Sequence, residues 1–259
     1  NEKEQLANCI SCKTPQFTAT VNTEGEEIYK KPFWDVVEQY DEPVSCYNCH
    51  ENDPQSTTVT NKFFSRALGA SDAANVPKES QVCGQCHNEY YFDPETKATT
   101  NPYSGLETMT PDAILSYYDE RGYKDWEHPG TGAAMLKVQH PEFETIYGGN
   151  QTYMAKYGMT CASCHMGTKV AEDGTTYVSH EWKSPLENQE LMDTTCNTSG
   201  CHADDKGGIA GKVATIQAEE EERVTAISEK IEELIAKTDE RRQAGTIDAD
   251  TLAQVQRLH

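Results

Sequence analysis

All ten cysteines of the chain fall into five close pairs, and each pair is followed at once by a basic residue. The five are Cys9-x-x-Cys12-Lys13, Cys46-x-x-Cys49-His50, Cys83-x-x-Cys86-His87, Cys161-x-x-Cys164-His165 and Cys196-x4-Cys201-His202. Two nearby thiols with a nitrogen ligand on the next residue are what a porphyrin needs for covalent attachment. The thiols become thioethers and the adjacent side chain takes the proximal position on iron. The pattern predicts five covalently bound haems c. Zinc ribbons also use C-x2-C pairs, but they need pairs of pairs with no preference for the residue that follows, whereas four of these five are followed by histidine. A disulfide framework would explain an even count in an exported chain, yet cysteines so close in sequence constrain little of the unfolded state. The wider spacing at Cys196 needs a longer loop to present both thiols to one ring.

This attachment changes what the composition must supply. Only 36% of the 259 residues are hydrophobic, but five flat apolar macrocycles would provide much of the buried surface, and their covalent and axial bonds would tie the backbone down. The predicted fold is mainly α with extensive irregular loops, a multihaem cytochrome c organised around five haems, with a long C-terminal helix. The formal charge of −21 argues against a nucleic-acid partner, whose phosphates demand Lys and Arg. An acidic surface instead suits solubility outside the cell or a basic redox partner. No run of apolar residues is long enough to span a membrane. Haem c attachment in bacteria takes place outside the cytoplasm, so the chain is expected to be exported, periplasmic or extracellular, with any leader removed or outside this sequence.

The motifs begin 37, 37, 78 and 35 residues apart, so residues 88–160 hold something besides attachment. Within them, Thr110-Pro111 through Tyr118, closed by Gly122, reads as a helix with a hydroxyl cap, a proline in its first turn and a glycine stop. The stretch after it, up to Met135, reads as loop. From about Val213 to Ala244 there is no Gly or Pro, and Val224, Ile227, Ile231 and Leu234 follow the spacing of a coiled-coil seam. This predicts a long helix ended by Gly245, with another over Asp248–Leu258. Residues 1–212 are accordingly taken as a pentahaem domain and 213–259 as a helical segment that dimerises or packs on it.

Lys13 sets the first motif apart. A haem with two protein ligands can only pass electrons, whereas a reactive one needs an open face. To bind iron, the amine must be deprotonated, which the metal achieves by competing with the proton. At these residues the chain closely resembles cytochrome c nitrite reductase, the ammonia-forming pentahaem family. The resemblance rests on Cys9-Ile-Ser-Cys-Lys13, Cys83-Gly-Gln-Cys-His-Asn-Glu-Tyr-Tyr-Phe92, Met135-Leu-Lys-Val-Gln-His-Pro141 and Cys161-Ala-Ser-Cys-His-Met166, in order along nearly the whole chain. It implies that nitrite binds the lysine-ligated iron and takes up six electrons and eight protons to give ammonium. It further implies that nitric oxide and hydroxylamine are reduced at the same iron and that the other four haems form an electron relay. It also implies that Tyr90 and His140 are the distal active-site residues. That suits the chemistry, since a multi-proton reduction needs a hydroxyl and an imidazole near the bound N–O group. His140 read alone is equally an axial ligand.

The same resemblance makes the side chains of Glu89 and Gln139 and the carbonyls of Tyr90 and Lys137 ligands of one calcium ion, an all-oxygen set suited to a hard cation. It makes His180 the distal ligand of the second haem. Where the family has the distal histidine of the fifth haem, this chain has Met154, which predicts His202/Met154 ligation. The remaining distal histidines and the active-site arginine have no counterpart, so the sequence is read as a fragment missing both ends and binding nitrite weakly. The family further implies a multihaem quinol dehydrogenase as donor and a homodimer through the C-terminal helix. Two other readings stay open: a pure electron-transfer cytochrome, in which the Lys13 iron has a sixth protein ligand, and a related multihaem oxidoreductase acting on hydroxylamine or a sulfur oxyanion.

Overall fold

The protein is described by a computed structural model covering residues 5–198, 200–205 and 207–259. It divides into two compact units, one of residues up to Arg121 together with Val138–Ser163, the other of Gly122–Lys137 and Cys164–His259.

The first unit is built from short helices and turns around two small cores. The Pro15–Glu24 helix starts where the Thr14 hydroxyl accepts the Phe17 N–H at 3.0 Å, with proline in the first turn. It buries Phe17 against Tyr29 and Tyr40, the latter edge-on at 5.1 Å, in a cluster with Ala7, Ile10, Ile28 and Val36. The second core joins Phe63, Phe64 and Leu68 of the Lys62–Leu68 helix to Phe143 and Tyr147 of the Glu142–Tyr147 helix. Phe64 and Phe143 meet edge to face at 5.0 Å, a favoured aromatic geometry.

The third cysteine motif rests directly on this core. It ends the Lys78–Gly84 helix, and a Cβ on Gly84 would stand 2.3 Å from Cδ2 of Phe143. Gly84→Ala is therefore expected to lower stability by about 1–3 kcal/mol through overpacking. A denaturation midpoint equal to that of the parent would show that the Phe143 ring can move aside at no cost.

The helix foreseen after Thr110 runs over Pro111–Arg121, with the Ala113 N–H donated to the Thr110 hydroxyl at 3.3 Å and Gly122 at φ +58° behind it. Just before it, Tyr91–Phe92 and Thr99–Thr100 form an antiparallel hairpin with Tyr91 opposite Thr100.

In the second unit, two more hairpins pair Trp126–Glu127 with Ala134–Met135 and Thr168–Val170 with Thr176–Val178. The first of them replaces a stretch read from sequence as loop, because strands this short show no legible alternation. The long helix runs over Gly208–Gln243 and begins earlier than its apolar spacing indicated, because the side-chain oxygen of Asn197 accepts the Ile209 N–H at 2.8 Å and caps it from outside. Ile216, Val224 and Ile227 remain exposed along it. Gly245, at φ +66°, ends the turn that follows, and Asp248 caps the Ala249–Leu258 helix through the Thr251 N–H at 2.8 Å. Among the described residues no helix is long and apolar enough to cross a membrane.

The last helix closes on the 126–135 hairpin, where Gln256 Nε2 donates to the Thr131 carbonyl at 2.9 Å. Thr131 also donates its N–H to His128 Nδ1 at 3.2 Å, and its hydroxyl lies 2.9 Å from His259 Nδ1. The two imidazoles stand 4.6 Å apart. Burial, and then His128, hold His259 below its ordinary value of 6.5. The fold thus favours the neutral ring, so the contact contributes fully above pH 6.5 and is lost as the pH falls below it. A proton NMR titration of His259 should have its midpoint below 6.5 and move upward in His128→Ala; a midpoint at or above the ordinary value would contradict the arrangement.

Candidate functional site

The residues between the cysteines do more than set spacing. Gln85, fully buried between Cys83 and Cys86, accepts the N–H groups of Thr60 and Asn61 at 2.8 and 2.9 Å. Its amide nitrogen donates to the carbonyl of Asn48, which lies between Cys46 and Cys49. One side chain thereby joins the second motif to the third. Cys86 borders Cys12 of the first motif, and Cys83 borders Cys161 of the fourth, whose N–H donates to the Ser80 hydroxyl at 3.2 Å. In the free-thiol state the neighbouring thiol, followed by burial, raises the Cys86 and Cys83 thiols above their ordinary value, while Cys12 is held below it, first by Cys86. Within the first unit, the Cys83–Cys86 turn thus adjoins single cysteines of the first, second and fourth motifs.

Three of the four motif histidines share one polarity. Nδ1 of His50 faces the Ser56 carbonyl at 2.8 Å, that of His165 the Lys183 carbonyl at 3.1 Å, and that of His202 the Asp205 carboxylate at 2.7 Å. His87 Nδ1 lies 3.6 Å from the Glu142 carboxylate, and His180 Nδ1 is 3.1 Å from the Val178 carbonyl. An oxygen acceptor at Nδ1 places the ring proton there and leaves Nε2 as the basic nitrogen, the arrangement by which proteins orient a metal-binding imidazole. His128 has the opposite polarity, since its Nδ1 accepts a backbone N–H. By this donor chemistry, haem iron fits His50, His165, His202 and His180, and it does not fit His128.

The lysine motif is tied to the segment that carries Tyr90. Ser11, within the motif, shares a 2.7 Å hydroxyl bond with Thr99, and Asn8 Nδ2 donates to the Lys97 carbonyl at 2.8 Å. Thr99 is the strand partner of Phe92, two residues beyond Tyr90. Lys13 itself is exposed, whereas Tyr90 is half-buried and borders Cys12 and Cys9. Burial, then these thiols and Glu89, push its hydroxyl up to about 12, so it is protonated at neutral pH and able to donate.

Beside it, Glu89 turns inward. Its Oε2 accepts the Gln139 N–H at 2.7 Å, its Oε1 the Tyr118 hydroxyl at 3.4 Å, and its own N–H is held by Glu144 Oε1 at 2.9 Å. Burial pushes the Glu144 carboxyl up to about 7, against the opposing pull of the Tyr103 hydroxyl. Its Oε2 and the side-chain oxygen of Asn101 are buried without a hydrogen-bond partner. A buried carboxylate beside Gln139 has the hard-oxygen character that calcium requires. His140 stands 5.8 Å from His87, ring to ring, with the Glu142 carboxylate 3.8 Å from its Nδ1. These three side chains are close enough to share a divalent ion, but His87 belongs to a cysteine motif, so the group is part of the same site.

Comparison with known proteins agrees with the cysteine pattern. The model of the cytochrome c552 family matches residues 1–259, the entire chain. The chain belongs to the cytochrome c552 family. Cytochrome c nitrite reductase subunit NrfA of Nitratidesulfovibrio vulgaris is 31% identical to this cytochrome over 218 residues, covering 76% of the chain and 40% of the relative. Cytochrome c-552 of Porphyromonas gingivalis is 31% identical over 239 residues, covering 90% and 45% respectively. Among solved structures, the catalytic subunit of the Desulfovibrio desulfuricans cytochrome c nitrite reductase, which has two calcium sites, superposes with a TM-score of 0.63 at 27% identity, over 90% of this chain and 49% of the other. The chain thus spans less than half the length of the relatives it matches.

Within this cytochrome the first unit brings the Lys13 motif to Tyr90 and the Glu89 segment to Gln139 and His140. Lys137 and His180 lie in the second unit, as does His202, while Met154 lies in the first on the short Tyr153–Lys156 helix and is exposed. Ser199, inside the fifth motif, is outside the described residues. Sequence reasoning missed Gln85, Asn48, Glu142 and Glu144. Only Glu142 had a local signal, being a carboxylate two residues from His140; the others act across long stretches of chain.

Proposed function

We propose that this cytochrome reduces nitrite to ammonium at the haem held by Cys9, Cys12 and Lys13, with the other four haems as electron relay. The observation that carries the reading is the pairing of the lysine motif with a half-buried, protonated Tyr90 through Ser11 and Thr99. Haem iron, when bound, supplies the substrate's coordination position and the electrons. The polypeptide supplies the rest. The Tyr90 hydroxyl donates to an oxygen of the anion and orients it, and His140, with Glu142 at its Nδ1, delivers protons in turn. Glu89 and Gln139, with the carbonyls of Tyr90 and Lys137, would hold a calcium ion, which would supply positive charge favouring an anion in an otherwise acidic protein.

Export, a quinol-oxidising multihaem donor, dimerisation through the long helix, and turnover of nitric oxide and hydroxylamine complete the proposal. The deciding experiment supplies nitrite to the reduced, haem-loaded protein and assays ammonium, in the parent and in Lys13→Ala. Ammonium from the parent alone supports the reading. If the parent makes none and its Lys13 iron carries a sixth protein ligand, the chain is a relay.

Ligation of the fifth haem by His202 and Met154 predicts a thioether-to-iron absorption band near the red edge of the spectrum, lost in Met154→Ala. Identical spectra for parent and variant would remove that assignment.

A further inference from the structure

We propose that Glu144 is a positioning residue that fixes Tyr90 relative to His140; this rests on the nitrite-reductase reading above. The two working side chains come from separate segments, and nothing in their local sequences sets one against the other. The structure does so with two reciprocal bonds. Glu144, four residues beyond His140 on the Glu142–Tyr147 helix, accepts the N–H of Glu89, the residue before Tyr90, at 2.9 Å. Glu89 in return accepts the N–H of Gln139, the residue before His140, at 2.7 Å.

Each segment's carboxylate thus grips the backbone immediately upstream of the other segment's working residue. Both carboxylates are more than nine-tenths buried, where amide-to-carboxylate bonds are strong and water competes poorly. Asn101 Nδ2 holds the Glu89 carbonyl at 2.8 Å, so the peptide groups on both sides of that residue are fixed. The resemblance gives Glu89 a calcium role but gives Glu144 none. Glu144 touches neither Tyr90 nor His140 through any of these bonds and acts only by locating them.

The test uses the haem-loaded protein and the variants Glu144→Gln, Glu144→Met and Glu144→Asp. Glutamine keeps an acceptor oxygen in place, methionine removes it at similar volume, and aspartate withdraws it by one methylene. Nitrite kinetics should show the Gln variant within about threefold of the parent. The Met and Asp variants should lose roughly 10–100-fold in kcat with KM nearly unchanged, the pattern of misplaced groups that act in the transition state. Amide hydrogen exchange should quicken at residues 89–90 and 139–140 in the Met and Asp variants but not in Gln.

Unchanged exchange in both of those variants overturns the clamp, and so does a Gln variant as slow as Met, which would mean the carboxyl works by charge or proton. If Met fails to load haem, Asp decides alone. A parent that makes no ammonium defeats the functional reading, while the exchange experiment still decides the clamp.

Discussion

Replacing Gln85 by leucine is expected to destabilise the first unit by about 3–5 kcal/mol, because it strands several buried polar groups at once. The Thr60 and Asn61 N–H groups lose the buried Gln85 acceptor, and the Asn48 carbonyl loses the amide that bridges the second and third motifs. Leucine is of similar volume, so the loss reports unmade hydrogen bonds rather than a cavity. Chemical denaturation of the haem-loaded protein measures it, and a haem count on the same sample should show fewer than the parent complement. A midpoint within error of the parent would mean that water takes over the three contacts and that the bridge is ornamental.

Tyr90→Phe should have the largest catalytic effect of a single atom. Removing the hydroxyl is expected to lower kcat for nitrite by roughly 10²-fold, with a smaller change in KM, as for a donor acting on charge that develops during N–O cleavage. Because burial and its neighbours push this hydroxyl up to about 12, it stays protonated throughout the neutral and mildly alkaline range. A pH–rate profile should therefore show no alkaline limb lost in the phenylalanine variant. A limb below pH 10 that disappears with the hydroxyl would refute the assigned state of Tyr90, and an unchanged kcat would refute its role.

Much of the molecule was legible because its signals are local. A cysteine pair followed by a ligand, a threonine before a proline-led helix and a glycine stop each act within a few residues, and the structure carries the helices over Pro111–Arg121 and Ala249–Leu258. The seam of the long helix was visible in the spacing of Val224, Ile227, Ile231 and Leu234, but its start was not, because the cap comes from Asn197 across an intervening loop. The hairpins were invisible for the opposite reason: with two or three residues per strand, periodicity has no room to appear.

At the candidate site the individual side chains could be named, but the forces arranging them could not. Gln85 reads as a spacer inside an attachment motif and Glu144 as a polar residue on a short helix. Both are bonded to partners dozens of positions away, and only folding reveals that they are buried.

The bridge through Gln85 also bears on how fast charge could move through such a protein. Tunnelling rates fall exponentially with the gap between donor and acceptor. Since a single buried amide clasps the two turns that would carry the second and third haems, the separation of those turns is tied to one side chain. In the peptide between His50 and Thr60 the Ser56 carbonyl must stay at the His50 ring, whereas the exposed residues 51–55 can change without moving the two clasped turns.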